Sequence, residues 1–328
     1  MIARGWRVAL SAAATLLLVA CEGGNIDAGG NILPVDERNP VIVANDSATD
    51  NWTGEYAMLL ANSGGPPLAG IIVNPSPYWP DLATNVDGWN QLIAAARASG
   101  LRNIPDATGS AGVPLVRPAD GAIEHTTPNM SDGAKLILDL SARLSLPLRP
   151  LVVVTGSRLT EVADAYLMDP TVADRVVVVS ALGGVANGAS VMGWPNGELD
   201  AWADWIVGQR FRYIQVNGYY EQLGDVSPDK VADLPANPFG AWMAAKAAGI
   251  YQIPMSSDQI GVLAVGVPNF VTAVERAVVD NSAAFVATTG PPLVAQAHGS
   301  AWVVPSCDSA MAADRLWKML LDPRTFNQ

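Results

Sequence analysis

Asp46 and, after three residues, Asp50 with Asn51 at once behind it put three oxygen-bearing side chains on one short polar loop. Acidic oxygen donors suit a hard cation such as calcium, which takes about six to eight oxygen ligands. One of the carboxylates could instead be a general base aimed at a water. The same residues also fit a plainer role, because Asp or Asn next to a helix start caps its free N–H groups. Taken alone, the loop leaves metal site, base and cap all open.

The elements around the loop say where it sits. Residues 41–44, Val-Ile-Val-Ala, form a short β-branched apolar run of the kind found in buried parallel strands. Beyond the loop, Tyr56, Leu59 and Leu60 recur at helical spacing. Strand, acidic loop, helix is the arrangement in which open α/β sheets bind ligands, outside the carboxyl ends of their strands. Similar strand-like runs occupy 68–74, 151–155, 175–180 and 211–217, and helices are expected over 89–98, from Ser131 as N-cap, over 161–167 and within 235–250. The second run ends in Asn74, either a ligand contact or a turn residue. Tyr78 and Trp79 follow in a Pro-flanked loop, where they either stack on a base or cover a seam. Thr160 precedes Glu161 as an N-cap candidate, while Glu198, Asp200 and Asp204 make an acidic helix start. Asp258 precedes a further apolar run, 260–265.

Composition narrows the function classes. With 328 residues, 50% hydrophobic and 15% charged, the chain can bury a large core. A net charge of -12 speaks against nucleic acid as a partner, whose binders carry basic patches. The two histidines, His125 and His298, lie in polar loop-like stretches, and no dinucleotide, Walker, nucleophile-elbow or zinc-protease motif occurs.

The amino-terminal segment reads as an address. Arg4 and Arg7 precede an apolar stretch, 8–20, too short to span a bilayer comfortably. It closes with Leu-Val-Ala-Cys at 18–21, which resembles a bacterial lipobox, so 1–20 is expected to be removed and Cys21 lipidated. Residues 21–39 are then expected to be a flexible Gly-rich tether, with 40–328 as one α/β domain. Glu22 in place of Asp implies the outer membrane, facing the periplasm, and the membrane is a partner only through that lipid. One cysteine, Cys307, remains, and it has no partner for an internal disulfide.

Taken in order, these motifs resemble the inosine/uridine-preferring nucleoside hydrolase family. Its opening Asp-x-Asp-Pro-Gly-x-Asp-Asp meets Ala44, Asp46, Asp50 and Asn51 here. Its Gly-Pro-Leu-Thr-Asn stretch resembles residues 156–161, one residue longer in this chain. Asn90 matches a family Asn, Glu198 and Asp200 meet a Glu-x-Asn pattern, and Asp258 stands where the family has a His-Asp pair, with Ser257 in place of the His. The resemblance implies an open, mostly parallel sheet with helices on both faces and calcium-assisted hydrolysis of an N-ribosidic bond. It implies calcium held by Asp46, Asn51, the Thr160 carbonyl and Asp258, with Asp46 also as base. It further implies a small nucleoside or ribosyl compound held by Asp50, Asn74, Glu198 and Asp200. The losses at 44, 51 and 257 imply a weakened calcium site, and with it an alternative: a non-catalytic ribosyl- or sugar-binding envelope lipoprotein of the same fold. The oligomeric state stays open, a homo-oligomer included.

Overall fold

Two runs, Leu-Val-Val-Val-Thr and Val-Val-Val-Val-Ser-Ala, are buried at every position. Apolar residues on both faces of a strand require cover on both faces, which parallel sheets receive from their crossover helices. A computed structural model describes residues 33–50, 52–110, 112–181, 196–216, 230–250, 258–287 and 292–327, the side chains of 198, 248–250 and 309 excepted. Cys21, Asn51, Ser257 and the side chain of Glu198 therefore lie outside the described residues.

The chain runs β1 (Val41–Asn45), α1 (Thr53–Asn62), β2 (Leu68–Val73), α2 (Leu82–Ala98), β3 (Ala107–Gly109), α3 (Asp132–Leu144), β4 (Leu151–Thr155), α4 (Thr160–Met168) and β5 (Val176–Ala181). There follow α5 (Ala201–Arg210), β6 (Arg212–Val216), α6 (Pro238–Ile250), α7 (Gln259–Gly266), β7 (Val271–Val279), β8 (Leu293–Ala295), β9 (Ala301–Cys307), α8 (Ser309–Leu321) and α9 (Pro323–Phe326). The nine strands form one sheet in the order β3-β2-β1-β4-β5-β6-β9-β7-β8. Pairing is parallel from β3 through β6 to β9, while β7 is antiparallel to both β9 and β8. The expected α/β class and mostly parallel sheet are borne out.

Alternate side chains of each central strand feed two cores. Val41, Val43, Ile71, Val73, Val152 and Val154 pack with Tyr56 and Leu59 of α1, Trp89 and Leu92 of α2 and Ile260 and Leu263 of α7. Ile42, Ala44, Ile72 and Val153 face the other way, against Ile137 of α3, Val162 of α4 and Ile206 of α5. The apolar run 260–265 is thus a helix, since a short run of this kind fits either element until its neighbours are known.

The expected tether needs a correction at its end. Leu33 and Val35 are buried in the first core, Asp36 N donates to Asn39 Oδ1 at 2.9 Å, and Asn39 Nδ2 donates to the Pro150 carbonyl at 2.8 Å. Folded structure therefore begins at least seven residues before the expected boundary, as two apolar side chains there find a core to enter.

From β1 the chain moves outward through β2 to β3, then returns to place β4 on the other side of β1. Such a reversal opens a crevice at the carboxyl ends of the two strands that flank it.

Candidate active site

Five strand ends meet at this rim. Asn74 N donates to the Asn45 carbonyl, Gly156 N to the Ala44 carbonyl and Ser110 N to the Val73 carbonyl, each at 2.9 Å. Asn196 Nδ2 reaches the Ala181 carbonyl at the end of β5, at 2.7 Å. Asn45, Asn74, Ser110, Gly156 and Asn196 are thereby held along one edge, the first four through backbone bonds and Asn196 through its side chain.

Asp46 is buried on this edge, its Oδ1 accepting from Ser47 N at 2.5 Å. The indole of Trp89 donates to its main-chain carbonyl at 3.1 Å, anchoring the loop to α2. Burial, with the like charge of Asp50 behind it, pushes the Asp46 carboxyl up to about 8, against a hydrogen bond from Ser76 that favours the anion. Asp50 lies between two acids. Burial and the charge of Asp258 hold its carboxyl well above the usual range, and it hydrogen-bonds with both Asp46 and Asp258. Asp258 is pushed up to about 7 by burial, the hydrogen bond with Asp50 and the Asn196 amide pulling the other way. That amide donates to Asp258 Oδ1 at 2.9 Å. An added Cβ at Gly156 would lie 2.3 Å from the Asp258 Cβ, so only glycine lets the β4 loop approach this acid so closely.

Three carboxylates delivered from two distant segments thus lie in a hydrogen-bonded row. The cap position of α1 falls on Trp52, in left-handed backbone and with no side-chain capping bond, and not on Asp50. Among the described residues no group of His, Cys, Asp and Glu side chains is closed around a common point as a metal cage. The donor set nevertheless fits a hard cation in type, being all oxygen, anionic and short of positive charge.

A second row lies beside the first. With its amide oriented to satisfy its neighbours, Asn74 donates to Glu161 Oε1 at 2.8 Å, to Oε2 at 2.9 Å and to Ser110 Oγ at 3.1 Å. Burial raises the Glu161 carboxyl to about 7, with Ser110 and Arg158 opposing. Arg158 is itself buried, its Nη2 donating to the Pro75 carbonyl and its Nη1 to the Gly112 carbonyl at 3.5 Å. Its charge acts on Glu161, Asp200 and Asp46.

Several expected site residues prove to do other work. Asp200 was expected to meet sugar hydroxyls, yet it is buried and both oxygens are taken. Oδ1 accepts from Ala203 N at 3.1 Å as the cap of α5, and Oδ2 accepts from Leu115 N at 2.8 Å and Thr160 Oγ1 at 2.7 Å. Thr160, expected to offer a carbonyl to a cation, is the first residue of α4, and its hydroxyl donates to Asp200 Oδ2 at 2.7 Å. Asn90, on the exposed side of α2, lies away from the rim. The helix's buried amide is Asn85, which donates to the Asn74 and Trp79 carbonyls at 3.1 and 2.8 Å. Asp204 is a core acid, accepting from the Tyr213 hydroxyl at 3.1 Å. Asn74 stands at the rim as expected, with its amide directed to Glu161.

The structure adds Asn45, Ser76, Ser110, Arg158, Glu161 and Asn196 to the site. Arg158 is the extra residue of the 156–161 stretch, and that lengthening is the one signal in the sequence that could have marked it.

No protein-family model matches this chain, and no curated protein matches it. Solved structures do. An inosine-guanosine nucleoside hydrolase superposes with a TM-score of 0.61 at 16% identity, over 86% of this chain and 99% of the other. An inosine-uridine preferring nucleoside hydrolase from Bacillus anthracis gives 0.57 at 13% identity, over 88% and 99%. A plant nucleoside hydrolase gives 0.55 at 18% identity, again over 88% and 99%. At such identities the likeness is one of fold, and the fold is that of the nucleoside hydrolases.

Proposed function

We propose that this protein hydrolyses the N-glycosidic bond of a ribonucleoside at the Asp46–Asp50–Asp258 rim. The observation that carries the reading is the row of three buried acids crowded at a topological switch point, where folding alone gains nothing from like charges. Asp46, Asn51 and Asp258 would hold calcium, which supplies Lewis-acid activation of a water when bound.

The chain's own groups do the rest. Asp46 would take the proton of the attacking water, a cation beside it offsetting the burial and the Asp50 charge that otherwise keep its carboxyl protonated up to about 8. Asp50 accepts from ribose hydroxyls as the sugar becomes oxocarbenium-like. Glu198 is proposed as a further hydroxyl acceptor. Asn74 is assigned to hold Glu161 at the edge of the sugar site, and Asp200 and Thr160 to fix the start of α5 against α4. We further propose that the protein is a bacterial envelope lipoprotein attached through Cys21.

A second reading rests on Arg158. A buried guanidinium acting on Asp46, Glu161 and Asp200 supplies positive charge of the protein's own, as a site that binds a sugar without hydrolysing it would need. Release of free base from a panel of ribonucleosides at saturating calcium tests both. Release supports the hydrolase, whereas binding of nucleoside or ribose with no release favours the sugar-binding protein.

A further inference from the structure

The amino ends of the strands, opposite the site, carry an apolar projection. Leu144, the last residue of α3, and Leu146 and Leu148, on the loop from α3 to β4, are 37%, 58% and 76% exposed. The loop is built to keep its shape. Leu146 and Arg149 exchange backbone hydrogen bonds at 3.0 and 2.9 Å, and Ser145 Oγ accepts from Leu151 N at 2.9 Å while donating to the Arg175 carbonyl at 2.7 Å. Exposed leucines on a braced loop have no role in this chain's own core and mark a contact surface.

The incoming chain lies against this loop. Asn39 is bonded to the Pro150 carbonyl, Val152 N donates to the Pro40 carbonyl, and the charge of Arg149 acts on Asp36. From Cys21 to Leu33 is about a dozen residues, which span at most about 40 Å however they run. A lipid on Cys21 would therefore hold this end of the sheet close to the bilayer.

Charge agrees. In a chain of net charge -12, the acids at this end are answered by arginines: Asp36 by Arg38, Asp139 by Arg143 and Asp169 by Arg175. Where α1 leads into β2, a cleft of about 500 Å³ is lined by Ser63, Arg315, Lys318, Asp322 and Arg324, and there too the acids are answered, Asp322 by Arg324 and Asp314 by Lys318.

We propose that Leu144 at the end of α3 and the loop carrying Leu146 and Leu148 rest on the surface of the bilayer that the Cys21 lipid enters, so that the carboxyl-end rim faces away from the membrane. This rests on the lipoprotein reading and is independent of whether the rim is catalytic. The apolar contact supplies the second attachment that a lipid anchor needs for fixed orientation.

The test uses the full acylated protein in vesicles of phosphatidylethanolamine and phosphatidylglycerol. An environment-sensitive dye is placed at Leu148→Cys or, as a carboxyl-end control, at exposed Met130→Cys, with brominated lipids as quenchers. The dye at 148 should shift to the blue and lose intensity to the quencher, and the dye at 130 should do neither. Equal, water-like emission at both positions in acylated protein overturns the docking surface alone. A blue shift at 148 without lipid quenching assigns the loop to a second copy and likewise overturns it. A mass spectrum showing no acyl group overturns the anchor, and the docking surface with it.

Discussion

Two groups of buried acids in this fold are held in opposite ways. Asp164 accepts from Met130 N, Ser131 N and Ser131 Oγ at 3.1, 2.8 and 2.6 Å, and Asp200 accepts from Leu115 N, Ala203 N and the Thr160 hydroxyl. Each of these acids is wrapped in donors and ties together two segments that would otherwise separate. Asp46, Asp50 and Asp258 instead face each other in a hydrogen-bonded row, and burial first, with the charge of a second acid behind it, raises the hold of each on a proton. Donor-wrapped acids are architecture, and acids crowded on acids are a site awaiting positive charge.

The comparison is broken most forcefully by exchanging the consequences of two substitutions. Asp46→Ala is expected to cut base release by about 10²–10⁴-fold while leaving the calcium-free melting temperature level or higher, because an acid buried against another acid is removed. Asp200→Ala should do the reverse in kind. Losing a helix cap and stranding the Leu115 N–H and Thr160 hydroxyl should cost about 3 kcal/mol in denaturant unfolding. A stable Asp200→Ala protein would show that donor wrapping is not what holds α4 to α5.

Calcium sharpens the comparison next. At a hundredfold excess over its dissociation constant it should stabilise the wild type by about 2.7 kcal/mol, and Asp258→Ala by far less. Equal stabilisation of the two proteins would remove Asp258 from the site.

The smallest effect is that of pH on the metal-free protein. Asp46, Asp258 and Glu161 keep their protons to about 8, 7 and 7 in the folded state, against an ordinary carboxylate range near 4 when unfolded. Between those limits the folded state binds more protons, so stability should fall as pH rises from about 4 to 8. Calcium, competing with those protons, should flatten the fall. Stability that rises over the same interval without calcium would mean these acids are not buried as described.

Much of this was legible in the sequence where one residue type decides the matter. The β-branched runs at 41–44, 151–155 and 175–180 are strands, and the acidic loop falls at a strand end because the run before it has no other use. Asp46, Asp50 and Asp258 needed the family likeness to be joined. What stayed hidden depends on register. Asn196 is significant only because β5 ends beside Asp258, and Asn85 outranks Asn90 because α2 turns that side inward. Asp200 looked like a sugar contact because a carboxylate suits hydroxyls in water or protein alike, and nothing in its neighbours announced that Leu115 would claim it. Leu33 and Val35 lie among the residues read as a tether, where a Gly-rich composition outweighed two apolar side chains.

The most direct measurement of the central claim is release of base from a ribonucleoside by wild type and Asp46→Asn, with calcium added, chelated and restored. The wild type should release base, chelation should abolish the release and calcium restore it, and Asp46→Asn, whose shape is kept and whose basicity is gone, should release none above background. Release that continues unchanged in Asp46→Asn, or that ignores calcium altogether, would contradict it.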